Sequence, residues 1–163
     1  TRREPNPHPY YRVEDVDVLA RTRMIPVFFE HEPFEDGDHF DLLLSCTYHK
    51  KILEEHRSHA DVSINIHQSL LPRHRGKNPF KAVIEAKDKE SGVTAHHIDD
   101  EWDHGKTISQ YQCSIEHLSE GEVRARLGVL TACMAVNVIS ALPEIKATTY
   151  NHIIQNERIE KWV

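Results

Sequence analysis

Polar and apolar positions alternate strictly from Asp61 to His67, with Val62, Ile64 and Ile66 set against Ser63, Asn65 and His67. A period of two is the period of a strand, so one face of this strand is apolar and the other presents Asn65 and His67 together. The loop that follows, Leu70-Leu71-Pro72, cannot continue a strand, which leaves the polar pair close to the strand's end. The compact apolar run from Asp41 to Cys46 has the length of a buried strand, and Ile25 to Phe29, Val93 to Ile98 and Thr107 to Ile115 also read as strands. Helical spacing runs through Glu14 to Thr22 on Val16, Leu19 and Ala20, and His49 to His56 is read as a helix. Another helix starts at Asn78-Pro79, with Asn as its cap, Pro at its first position, and Phe80, Val83 and Ile84 as its buried stripe. The longest begins with a capping box, Ser119 and Glu122, and carries Val123, Leu127, Leu130, Met134 and Val138 on one face until Pro143 stops it. Pro5, Pro7 and Pro9 make residues 1–11 an extended arm. Residues 144–163 form a C-terminal tail in which 148–163 is read as a short hairpin around Asn156. Strands interleaved with helices define an α/β chain.

Composition narrows this reading. With 163 residues the chain has the size of one domain, taken as 1–163, and is long enough to bury roughly two-thirds of its unfolded surface. Hydrophobic and charged shares of 39% and 28% fit a globular enzyme and exclude wholesale disorder. No apolar run approaches the ~18 residues of a membrane span, and no basic-then-apolar leader argues for export. Cys46, Cys113 and Cys133 are odd in number and lack Cys-x-x-Cys spacing, so free thiols and a cytoplasmic location are expected. Net charge is −6 and the basic residues are scattered, so nucleic-acid binding is not expected. The exception is Arg73-His74-Arg75-Gly76-Lys77, a short loop suited to a phosphate or carboxylate on a small molecule, or simply to solvation.

Three motifs complete the pattern: Asn65-x-His67-x-Ser69-Leu70-Leu71-Pro72 with Gly76 four residues on, then Gly92-Val93-Thr94-Ala95-His96, then Asp103-His104-Gly105. Together they resemble the 10-formyltetrahydrofolate-dependent formyltransferases, a family that spans glycinamide ribonucleotide, methionyl-tRNA and sugar-nucleotide formyltransferases and the related formyltetrahydrofolate hydrolases. The spacing of 36 positions from His67 to Asp103 agrees with that family. The position after the family's catalytic His is often Pro and is Gln68 here, and a frequent Gly-Gly is here His104-Gly105. The resemblance implies an open, mostly parallel sheet of Rossmann type with helices on both faces. It also implies that the chain lacks an N-terminal strand and helix, since Thr1-Arg2-Arg3-Glu4-Pro5-Asn6-Pro7 matches the segment after the family's second strand. A sheet open in that way would expose an edge able to pair with another copy.

Carried over residue by residue, the resemblance makes Asn65, His67 and Asp103 catalytic. It makes Tyr48, Lys50, Lys51, Ile52, Ser69, Leu70, Leu71, Pro72, Arg73, Arg75, Gly76, His96, Ile98, Asp99, Asp100, Trp102 and Gly105 contacts for the 10-formyltetrahydrofolate donor or the acceptor amine. Formyl transfer to an amine passes through a tetrahedral centre that needs hydrogen-bond donors, which Asn65 and a protonated His67 could supply. Asp103 beside His67 would favour the charged ring and raise its pKa. Amino-sugar nucleotides or a glycinamide-type amine are the expected acceptors. Methionyl-tRNA is disfavoured by the absence of a second domain and of a basic face. Alternatives are a formyltetrahydrofolate hydrolase, a non-catalytic folate-binding homologue, or a metal-dependent hydrolase built on His96, His97, Asp99, Asp100, Asp103 and His104. The last is weakened because adjacent residues His96 and His97 must face opposite sides of a strand, and no metal is expected.

Overall fold

The computed structural model of the chain describes residues 20, 22–24, 34, 35, 37–48 and 50–149. The chain divides into two compact units, Thr1–Asp36 and Gly37–Val163, and the sheet and site belong to the second. The predicted arm over 1–11, strand Ile25 to Phe29 and most of the hairpin lie outside the described residues. Ala20 and Thr22, within the helix predicted over Glu14 to Thr22, are helical.

The second unit runs β1 (Leu43–Cys46), α1 (Glu54–Arg57), β2 (Ser63–His67), α2 (Pro79–Glu85), β3 (Glu90–His97), β4 (Thr107–Ser114) and α3 (Glu120–Ser140). A further helical stretch covers 142–149. The four strands form one sheet in the order β1, β2, β3, β4. The α/β class is as expected, but among the described residues the sheet is mixed where a mostly parallel one was anticipated. β1 and β2 pair in parallel, whereas β3 runs antiparallel to β2 and β4 antiparallel to β3. The connections explain this. α2 packs with Ile115 and with Val123 and Leu127 of α3 at the end of the sheet where β2 stops, so the chain re-enters from that same end. The stretch 98–106 is too short for the dozen or more residues that a parallel crossover needs.

Register fixes two unlike faces. Ile64 and Ile66 of β2, with Val93 and Ala95 of β3, are almost wholly buried and pack against Met134 and Val138 of α3 and against Ile145. The opposite face is polar: Ser45 pairs with Asn65, Asn65 with His96, and His67 with Thr94. Each fully buried Ile or Leu on the apolar side contributes about 1.5–3 kcal/mol relative to exposure, so the alternation in β2 leaves it no second way to sit on α3.

The capping box of α3 forms as predicted, Ser119 Oγ accepting from the Glu122 N–H and Glu122 Oε2 accepting from the Ser119 N–H at 2.8 Å. Val123, Leu127, Thr131, Met134 and Val138 are its buried line. Leu130, expected in that line, is only partly buried. By length and composition this helix could cross a membrane, although no such run was evident from sequence. Here its buried line packs on the sheet and on α2, while Val129, Val136 and Ile139 face outward. The helix breaks at Ala141, and Pro143 falls in the first turn of the next helical stretch, where a missing N–H costs nothing. Thr148 and Thr149, predicted to begin a hairpin, are helical and bond back to the Glu144 and Ile145 carbonyls. α1 is shorter than the predicted His49 to His56 helix, because residues 50–53 run non-helically beside a cleft.

Leu127→Ala is expected to lower unfolding free energy by about 2–5 kcal/mol in a urea titration, whereas Val136→Ala on the outward face should change it by no more than about 0.5 kcal/mol. Equal losses would contradict the assignment of the helix's inner face.

Candidate active site

The polar face of β2 and β3 is the floor of the site, and two loops deliver its remaining groups. Residues 98–106 turn tightly because Gly105 lies against the His97 carbonyl, where an added Cβ would stand only 1.8 Å from the oxygen. Arg57 of α1 secures the same loop through the Ile98 carbonyl and the Asp100 carboxylate. The loop returns Asp103 over the sheet with a left-handed backbone, φ +56°, a conformation that a non-glycine residue holds only when its surroundings impose it.

The imposing contacts are visible. Asp103 has a side chain only 4% exposed. Its Oδ1 accepts from Asn65 Nδ2 at 3.2 Å and lies 3.3 Å from His96 Nε2. Its Oδ2 accepts from the Gly76 N–H at 2.8 Å and lies 3.4 Å from His67 Nδ1. Arg75 Nε donates to the Asp103 carbonyl at 3.0 Å. A buried carboxylate without such donors would cost several kcal/mol. Burial by itself would raise the Asp103 pKa, but the His96 ring, the neighbouring His67 ring and the Gly76 N–H together hold the carboxyl below its ordinary range.

His67 meets the His74 carbonyl at 2.8 Å through Nε2. A carbonyl can only accept, so Nε2 carries a hydrogen and Nδ1 faces the Asp103 carboxylate. The expected rise in the His67 pKa is reversed. Burial pushes it down, and the opposing pull of Asp103 and of the His74 carbonyl does not make up the difference. The ring is therefore neutral near pH 7, and Nδ1 is the atom open to a proton. His96 Nδ1 donates to the His97 carbonyl at 2.8 Å, and its Nε2 lies 3.2 Å from Asn65 Nδ2.

Asn65, His96 and Asp103 line one side of an open cleft whose other walls are Ser45, Tyr48, Lys50, Lys51, Ile52, Ile98, Asp99, Glu101 and Trp102. His67 lies beneath Asp103, is buried, and does not form part of this lining. The Ser69-to-Gly76 loop is fastened to the sheet and is not part of that lining. Thr94 Oγ1 donates to the Ser69 carbonyl and accepts from the Leu71 N–H, while Gln110 Nε2 donates to the Leu71 carbonyl. Ser69 is fully buried and donates to the Arg73 carbonyl. Leu70 packs at Gly92, and Pro72 is exposed.

The basic residues of that loop are not aimed together into the cleft. Arg73 pairs with Asp88, Arg75 bonds the Asp103 backbone, and Lys77 stands 5.8 Å from the Trp102 ring centre. Asp100 is tied to Arg57. Sequence reasoning missed Ser45, Thr94, Glu101 and Gln110; the alternation Val93, Thr94, Ala95, His96 was a signal for Thr94, whereas the apolar run before Ser45 and the irregular register of β4 gave none for Ser45 and Gln110. The candidate metal ligands do not converge: His96 and His97 face opposite sides, His104 pairs with Glu101, and among the described residues no group of His, Cys, Asp or Glu is arranged to hold an ion.

The fold is α/β, and its sheet brings Asn65, His96 and Asp103 into contact beside the cleft. Residues 40–139 match the family described as formyl transferase, and the chain belongs to that family. It is 36% identical over 100 residues to the methionyl-tRNA formyltransferase of Colwellia psychrerythraea, an alignment covering 59% of this chain and 30% of that protein. The phosphoribosylglycinamide formyltransferase of Campylobacter jejuni superposes with a TM-score of 0.54 at 26% identity, covering 61% of this chain and 54% of the other. A sugar 3N-formyl transferase, solved in the presence of dTDP and 5-N-formyl-THF, shares the fold with a TM-score of 0.68 at 21% identity, over 82% of this chain and 48% of its own. The chain thus spans 30% of that curated relative's length and about half of the matched solved chains.

The titration of His67 follows from its surroundings. Its folded pKa lies below the unfolded value of ~6.5, so the unfolded chain binds the proton first and stability falls as pH drops from ~6.5 toward the folded pKa. Ring titration by NMR should place His67 below 6.5, and Asp103→Asn should lower it further. A His67 that titrates above 6.5 would show that the carboxylate outweighs burial.

Proposed function

We propose that this chain transfers a formyl group from 10-formyltetrahydrofolate to the primary amine of a small molecule. The reading is carried by one observation, the buried Asp103 carboxylate held between Asn65, His96 and His67 at the side of the cleft. The residues fit the donor: Trp102, Tyr48, Ile52 and Ile98 give apolar walls for a flat heterocycle, and Ser45, Asp99 and Glu101 give polar partners at its edge. Lys50 and Lys51 at the same cleft suit an anionic tail. When bound, the donor supplies a formyl carbon that exchanges its bond to a folate nitrogen for one to the amine nitrogen, with one proton passing from the amine to the folate nitrogen.

The chain's own groups have distinct tasks. Asn65 Nδ2, part of the cleft lining, supplies an N–H to the oxygen on which charge develops. Asp103, beside it, orients the amine and receives its proton. His67 Nδ1 shares that proton from beneath, because an imidazolium formed there lies against the carboxylate. Burial keeps the ring neutral beforehand, which leaves the pair in its proton-accepting form. A small-molecule acceptor is favoured because Arg73 and Arg75 are engaged within the chain and the overall charge is −6, a poor combination for gripping a polyanion.

The full chain should consume 10-formyltetrahydrofolate only when a suitable amine is added, and formylated amine should accumulate in step. Consumption without any amine would identify water as the acceptor, and a chain that neither binds nor consumes the donor would overturn the reading. Asn65→Ala is expected to lower turnover by about 100- to 1,000-fold with the fold intact, as read by steady-state kinetics alongside a thermal melt. Near-normal turnover would remove Asn65 from the mechanism.

A further inference from the structure

We infer that Asp88 is a positioning residue for His67, acting through His74. The inference rests on the reading of the site above, but the geometry is independent of any substrate. Asp88 lies in the turn between α2 and β3, outside both loops that carry the site's groups, and its carboxylate has a side-chain exposure of only 10%. Both of its oxygens are taken: Oδ1 by Arg73, and Oδ2 by His74 Nε2 at 2.7 Å. Those contacts hold its carboxyl below the ordinary range against burial.

Arg73 and His74 are consecutive, and their two carbonyls face inward. The Arg73 carbonyl accepts from the fully buried Ser69, and the His74 carbonyl accepts from His67 Nε2. His74 adopts a left-handed backbone, φ +54°, a conformation that costs a non-glycine residue free energy unless its neighbours enforce it. The ring bond to Asp88 is the enforcing contact on the outside of the loop. Three interactions therefore run in series: Asp88 to the His74 ring, the His74 carbonyl to His67 Nε2, and His67 Nδ1 to Asp103.

The chemical consequence falls on the tautomer of His67. A fixed carbonyl at Nε2 keeps the hydrogen there and leaves the Nδ1 lone pair toward Asp103, where a proton can be taken. If the carbonyl swings away, the neutral ring gains by moving its hydrogen to Nδ1 and donating it to the Asp103 carboxylate. That tautomer has no basic nitrogen facing Asp103. Asp88 thus sets which nitrogen is basic without touching the cleft.

The test is the nitrogen-15 NMR spectrum of the His67 ring in the full chain, at a pH above its titration, with turnover measured separately. The native chain should show the Nε2–H tautomer, and Asp88→Asn should move the ring toward Nδ1–H. Turnover should then fall by roughly 10- to 100-fold, as expected when a catalytic group loses its orientation, with the KM for the formyl donor changed less than about two-fold. Asp88→Glu should restore part of both. Arg73→Ala, which leaves the His74 contact, should keep the native tautomer. If Asp88→Asn does not fold, His74→Phe carries the same test, since it retains the carbonyl and the ring bulk but cannot bond Asp88. An unchanged His67 tautomer in the folded Asp88→Asn or His74→Phe protein would overturn the inference whatever the activity. A native chain with the Nε2–H tautomer and the predicted shift, but no formyl transfer, would instead sink the functional reading and leave the positioning in place.

Discussion

The buried carboxylate of Asp103 is the constraint on which the site depends. It is brought to the middle of a sheet face by a loop with a left-handed backbone at its own position, and it stays there because three separate stretches of chain supply polar hydrogens or rings to it. Asn65 comes from β2, His96 from β3, and Gly76 from the loop after Leu70-Leu71-Pro72. Without any one of them, part of a charge would be left in a poorly solvated place, at a cost on the order of 1–3 kcal/mol or more. The two loops are therefore held to the sheet and to one another by the same group to which the proposed chemistry is assigned.

The sheet makes this possible by separating its faces. One side is occupied by α3, whose Met134 and Val138 press on Ile64, Ile66, Val93 and Ala95. That packing pins the register of β2, and a one-residue slip would turn Asn65 and His67 into the apolar core. The other side is then free to carry polar groups in ordered pairs. Thr94 and Gln110 use it to fasten the loop between Ser69 and Leu71, and Ser45, Asn65 and His96 use it to face the cleft. The apolar core and the proposed site are thus assigned to opposite sides of the same strands.

Much of this could be read from the residues alone where a local rule decided the outcome. The alternation of β2 put Asn65 and His67 on one face, and Ser119 with Glu122 marked the start of α3 within one residue. What could not be read were outcomes set by distant partners. The antiparallel course of β3 depends on where α2 packs, which no periodicity within α2 encodes. The basic loop looked like an anion site because Asp88 and the Asp103 carbonyl, its actual partners, lie far along the chain. The His67 pKa was expected to rise from the nearby carboxylate, yet its direction is decided by burial, a quantity that depends on the whole fold. Pro143 was read as a stop, and it serves equally as the start of the next helical stretch.

The central claim is that Asn65 and Asp103 act as one unit on the transferred group. The most direct test is a double-mutant cycle in kcat/KM for formyl transfer, using Asn65→Ala, Asp103→Ala and the combined variant. Residues that act together lose their effect together, so the double variant should be slower than the worse single variant by no more than about ten-fold. Losses that simply multiply would mean that the two side chains contribute independently, and that the hydrogen bond between them is a structural contact rather than the core of the site.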